Sequence, residues 1–146
     1  MILQIGIEYF CFFVIHKMQN LILVVAAIIK RKTKYLIAKR ASLKTHGGRW
    51  EFPGGKIEEG ETPEIVLERE LYEELNIKTS IGPHIMNSFH EYEDFKIKLM
   101  AYEVTHLNGE FTLSEHDEIA WVTPAQMESY HMSGADLSII GHLLQN

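Results

Sequence analysis

The stretch TPEIVLERELYEEL, residues 62–75, constrains this chain more than any other. Thr62 is a cap residue, Pro63 suits a first helical turn, and Glu64 sits where the positive end of a helix dipole favours an acid. The pattern predicts a helix from Thr62 to about Leu75, with Asn76 able to take the left-handed closing conformation. At about 100° per residue, Glu70, Glu73 and Glu74 share an arc of roughly 100°. Ile65, Leu71, Tyr72 and Leu75 take the opposite side and are expected to pack on a sheet. Two of the acids stand near the C-terminus, where the dipole disfavours negative charge. The usual fate of such a run is a solvated acidic face. The alternative is a hard-oxygen site for a divalent cation such as Mg²⁺, which reverses the repulsion and the dipole penalty together.

The rest of the chain supplies the sheet. Leu21 to Ile29 is a β-branched apolar run of strand length, suited to burial on both faces. Lys32 and Thr33 turn it, and Tyr35 to Lys39 returns as a second strand. Residues 45–49 and 53–55 read as loops. Strand-like stretches follow at about 79–90 and 94–105, joined near Tyr92 to Asp94, and a short one at Ile119 to Thr123. Pro124 opens a short helix, and Asp136 to Leu144 a C-terminal one. Strands before, between and after helices predict an α/β fold, a mixed β-sheet covered by helices on both faces.

With 146 residues the chain has the length of one domain. Its net charge of -6 gives no electrostatic reason to expect a nucleic-acid duplex or an anionic membrane as partner. The single cysteine, Cys11, allows no intrachain disulfide and makes a reducing, cytoplasmic compartment the default. Residues 1–17, MILQIGIEYFCFFVIHK, are apolar but interrupted by Glu8 and short of the ~20 residues of a membrane span. They also lack the basic start and cleavage site of a secretory signal. Met18 reads as a natural chain start, so residues 1–17 are an over-extended start or an extra apolar arm, and 18–146 the working domain. No Walker loop, dinucleotide fingerprint or nucleophile elbow is present. Oligomeric state is not legible in the residues.

Gly55, Glu61, Arg69, Glu70, Leu71, Glu73, Glu74 and Ile77 fall into the pattern G-x5-E-x7-R-E-U-x-E-E-x-G-U, where U is aliphatic. Chance agreement at the six invariant positions is on the order of one in ten million. In this the chain resembles the Nudix superfamily. The run RWEFPGGKIE at 49–58 is similar to its MutT-like branch, the small nucleoside-triphosphate pyrophosphohydrolases. One position departs: Asn76 stands where the pattern has glycine, and asparagine is the next-best residue for a left-handed helix end.

The resemblance implies a Nudix-type α/β/α sandwich and a metal site made by Glu70, Glu73, Glu74 and the Gly54 carbonyl. Mg²⁺ is the expected cofactor, with Mn²⁺ as an alternative. Arg69 is expected to orient the carboxylates and Glu61 to support from the first turn, unless both are purely structural. MutT-like relatives carry a further acid six residues before a tryptophan, here Glu115 before Trp121. Asp117 and Glu118 compete for that role, and the general base lies between a box glutamate and Glu115. Arg40 and Lys56 are candidates for the phosphates. Asp136 is the candidate for the base edge, against the bland reading of a helix cap. Ionised, Asp136 accepts hydrogen bonds from an amino group; protonated, it also donates, which suits 8-oxoguanine. Tyr92, Phe95 and Met132 are possible stacking partners or plain core. The expected reaction is hydrolysis of a damaged nucleoside triphosphate, such as 8-oxo-dGTP, to monophosphate and pyrophosphate. CTP or 5-methyl-dCTP is the alternative substrate, and a nucleotide sugar a more distant one. A binding-only module is disfavoured because all four box acids are present.

Overall fold

A computed structural model describes residues 21–146; the segment 1–17 lies outside them. The described chain runs β1 (Leu21–Arg31), β2 (Lys34–Arg40), β3 (Trp50–Glu51), β4 (Gly54–Lys56), α1 (Pro63–Leu75), β5 (Lys78–Glu91), β6 (Lys96–Asn108), β7 (His116–Val122), α2 (Pro124–Met127), a 3₁₀ turn (Gly134–Asp136) and α3 (Leu137–Gln145). The sheet order is β3-β2-β1-β6-β5, with β4 added to β1 and β7 to β2. β1 and β6 run parallel, Leu21 beside Lys96 through to Ile29 beside Val104. The β1–β2, β1–β4, β2–β3, β2–β7 and β5–β6 pairs are antiparallel, so the sheet is mixed.

β1 is the hub because its side chains are apolar on both faces. Val25, Ala27 and Ile29 enter a core with Val66, Leu67, Leu71 and Leu75 of α1. Ala26 and Ile28 point the other way, into a core closed by Met127, Ile139 and Ile140 from α2 and α3. The result is the expected α/β/α sandwich. None of the described helices is long and apolar enough to cross a membrane.

Two local expectations change. Residues 54–55, read as part of a loop, belong to the short strand β4, and residues 50–51, given no element by the sequence, form β3; Ala26 beside Gly54 and Lys39 beside Trp50 hold them. Glycine-rich sequence hides them, because pairing there depends on a partner distant in the chain. The buried side of α1 also differs. Ile65 and Tyr72 are 55% and 57% exposed, while Val66 and Leu67 are fully buried. The buried arc runs from Val66 to Leu75 and takes in Glu70 and Glu74; Glu74 projects only about 20° around the helix from Leu67. These two acids do not face away from the core. They point along it, into a space the sheet leaves open.

Candidate active site

That space is made by two glycines. A Cβ on Gly54 would stand 1.8 Å from the Val25 carbonyl oxygen, so only glycine lets β4 approach β1 this closely. A Cβ on Gly55 would stand 2.6 Å from Glu70 Cγ, so its absence is the room in which Glu70 lies.

α1 is held at both ends. Thr62 Oγ1 accepts the Ile65 N–H at 3.3 Å, and Pro63 fills the first turn. At the other end Asn76 takes φ 59° and ψ 32°, the left-handed closure expected of a residue replacing glycine. The segment entering β7 then satisfies the last carbonyls. Thr112 N–H donates to Leu75 O at 3.1 Å and Ser114 N–H to Glu74 O at 3.2 Å, while Ser114 Oγ–H donates to Glu73 O at 2.9 Å. These bonds consume acceptors where the dipole's negative end is concentrated, and they place Glu115 in the same cavity as the helix acids.

The cavity, about 410 Å³, is lined by Glu70, Glu74 and Glu115 together with Gly54, Gly55 and Lys56. Arg40 and Asp136 line it too. Glu73, Arg69 and Glu61 do not, and Glu73 is exposed. Arg69 nevertheless acts on the group: its Nη2 bonds Glu61 Oε2 at 2.9 Å and lies 3.6 Å from Glu70 Oε1. Lys56 reaches back to Glu58 at 3.8 Å. Arg40 donates through Nε to Thr45 O at 3.1 Å and through Nη1 to Glu51 Oε1 at 3.3 Å. Asp117 bonds the Ser42 N–H, and neither it nor Glu118 lines the cavity.

Burial and the proximity of Glu70, which shares a hydrogen bond with it, push Glu74 up to about 8. Desolvation, helped by the nearby charge of Glu51, pushes Asp136 up to about 8 as well, against the Phe52 N–H bond and Arg40, which favour its charge. Asp136 does not cap α3; its Oδ1 accepts the Phe52 N–H at 3.0 Å. Met132 is buried core away from the cavity, whereas Tyr92 and Phe95 line it, stacked with centroids 4.9 Å apart.

Sequence reasoning passed over three lining residues. Lys44, in the β2–β3 loop, pairs with Glu115. Glu51 lies between two buried aromatics, Trp50 and Phe52. His116 is buried and bonds Glu51. An acid set between buried aromatics just ahead of a Pro-Gly-Gly run was the available signal for Glu51.

The donor set is all oxygen and electrostatically crowded, which fits a hard divalent cation. Among the described residues no three acidic, His or Cys side chains are drawn tightly enough to grip an ion alone.

A NUDIX domain family model matches residues 24–142. The chain is a Nudix hydrolase. It is 36% identical to the CTP pyrophosphohydrolase of Escherichia coli K12, covering 83% of this chain and 90% of that one. It is 30% identical to the 8-oxo-dGTP diphosphatase of the same organism, over 86% and 98% of the two chains. The solution structure of the E. coli ORF135 protein superposes with a TM-score of 0.77 at 34% identity, over 86% of this chain and 90% of that one. As a Nudix hydrolase of the MutT-like group, the chain needs a divalent metal.

Proposed function

We propose that this Nudix hydrolase cleaves a damaged nucleoside triphosphate of the 8-oxo-dGTP type to nucleoside monophosphate and pyrophosphate, with Mg²⁺ (or Mn²⁺) as cofactor. The observation that carries the reading is one cavity combining a carboxylate cluster with the buried Asp136, whose burial pushes its carboxyl up to about 8. Held neutral at pH 7, Asp136 both donates and accepts, which an oxidised purine edge requires. The stacked Tyr92 and Phe95 offer the same cavity an aromatic wall.

Glu70, Glu73, Glu74, Glu115 and the Gly54 carbonyl would hold the cation, which polarises phosphoryl oxygens and makes water more acidic. Arg69, held by Glu61, orients Glu70. Glu115 or a box glutamate takes one proton from the attacking water. The water oxygen bonds to phosphorus as the bridging P–O bond breaks, and pyrophosphate leaves. Lys56 and Arg40 neutralise phosphate charge. Lys44, paired with Glu115, adds positive charge to the same cavity.

A second reading, CTP or 5-methyl-dCTP, is favoured by the relative named CTP pyrophosphohydrolase. An ionised carboxylate in the cavity accepts from the cytosine amino group. Pyrophosphate release with Mg²⁺ from a panel of 8-oxo-dGTP, 2-hydroxy-dATP, CTP, dCTP, 5-methyl-dCTP and ADP-ribose tests both. The highest kcat/KM on an oxidised purine supports the first reading and on a cytosine nucleotide the second. Silence on every triphosphate overturns both.

A further inference from the structure

The proposed hydrolysis gives His116 no task, yet the fold takes trouble to place it. Along the β2–β7 ladder Lys39 faces Glu118, but Arg40 faces His116, so Asp117 is skipped in a bulge. Regular alternation would set Asp117 opposite Arg40 and turn His116 to the other face. The slip puts His116 on the face that already carries Arg40 and Glu51; Glu51 stands beside Ala38, two residues before Arg40 on β2. Bulges next to active sites serve to re-aim a side chain in this way.

Three neighbouring strands thereby converge on one carboxylate. Glu51 Oε1 receives His116 Nε2 at 3.2 Å and Arg40 Nη1 at 3.3 Å, while Oε2 has a longer contact of 3.4 Å with the same Arg40 nitrogen. The His116 side chain is 4% exposed and its Nδ1 is buried with no partner. A buried N–H without an acceptor is costly, so the proton belongs on Nε2, and the ring is a donor to Glu51. Glu51 itself keeps 21% of its side chain exposed and lines the cavity with Asp136.

We propose that His116 is a positioning residue that fixes Glu51, so that Glu51 Oε2 accepts a hydrogen bond from an N–H or O–H of the substrate's nucleoside part. The inference rests on the nucleoside-triphosphate reading and assigns it a second recognition group beside Asp136. The donor pair on Oε1 pins the carboxylate, and the less engaged Oε2 is the atom left for a ligand.

The test measures dCMP and 8-oxo-dGMP binding by calorimetry, and steady-state hydrolysis of the matching triphosphates. The proteins are wild type, H116L, H116Q, E51Q and H116L/E51Q. H116L is expected to raise both the Kd of the preferred monophosphate and the KM of its triphosphate about fivefold to tenfold, with a smaller change in kcat. H116Q, whose amide N–H reaches toward Glu51, should recover most of that loss. In the E51Q background H116L should add less than about twofold, since the effect runs through Glu51. If H116L melts below the assay temperature, H116N, whose amide is too short to reach, takes its place. Equal weakening by H116L and H116Q, a full effect in the E51Q background, or unchanged Kd and KM overturns the proposal. Failure of wild type to hydrolyse any triphosphate instead overturns the reading on which it rests.

Discussion

Asp136 Oδ1 accepts the Phe52 backbone N–H at 3.0 Å, tying the residue before α3 to the one following β3. The carboxyl is buried, and burial raises it from an ordinary 3.8 to about 8. A raised folded-state value means the folded protein binds the proton more tightly than the unfolded chain. The stability this contributes is complete below about pH 4 and is lost as pH rises through about 8. Asp136→Asn keeps an acceptor for Phe52 and does not titrate. Wild type should therefore lose melting temperature relative to this variant between pH 6 and pH 9. A difference that stays flat across that window would show Asp136 ionised throughout.

Asp136→Ala should raise KM selectively for the preferred nucleotide, by about tenfold, the worth of one buried hydrogen bond. For an 8-oxoguanine substrate the wild-type KM should also climb above pH 8, as Asp136 loses the proton it donates. The same KM increase on every base would remove Asp136 from base recognition.

The helix acids can be ranked. Glu70→Gln and Glu74→Gln, both lining the cavity, are expected to lower kcat by about two to three orders of magnitude with the fold retained. Glu73→Gln should act in the same direction but less, because its side chain is exposed at the margin. Stopped assays in EDTA should show no turnover, with recovery on adding excess Mg²⁺. Full activity of Glu74→Gln would remove the cation site from α1.

Gly54→Ala should be among the most damaging single changes, since its Cβ would meet backbone rather than a movable side chain. Separation of β4 from β1 is expected to cost about 3 kcal/mol or more. Urea denaturation measures it. A loss under about 1 kcal/mol would mean that β4 shifts without harm.

Ser114→Ala removes the hydroxyl that donates to Glu73 O while leaving the backbone bond to Glu74 O in place. The expected cost is about 1 kcal/mol in stability, with a larger proportional loss in kcat as Glu115 drifts from the helix acids. Stability loss without kcat loss would separate the anchor from the placement of Glu115.

Much of this architecture was legible in the chain because it is local. Thr62, Pro63 and Asn76 mark the ends of α1 through bonds made within a few residues. The run from Leu21 to Ile29 announces a strand buried on both faces by composition alone. The box spacing singles out Glu70 and Glu74, and both line the cavity. Legibility stopped where a residue's surroundings came from far along the chain. The helix wheel set the acids opposite the apolar face, yet Glu70 and Glu74 lie within the buried arc, and Gly55, on another element, leaves the room that Glu70 takes. Asp136 looked as much like a helix cap as a recognition group; its side chain makes no cap bond and instead accepts the N–H of Phe52, 84 residues away.

By itself, then, the sequence determined the longer elements, their order and the acid-bearing helix, though not the short strands β3 and β4, since capping, periodicity and turn chemistry act over a turn or two of backbone. The tertiary structure alone decided which charges meet. Glu115 shares a cavity with Glu74 because Ser114 docks on the end of α1, and Glu51 joins Arg40 and His116 because a one-residue bulge in β7 turns His116 inward. Register and docking are set by the packing of the whole sheet, where a single slipped residue exchanges one face for the other. No short-range pattern carries that information.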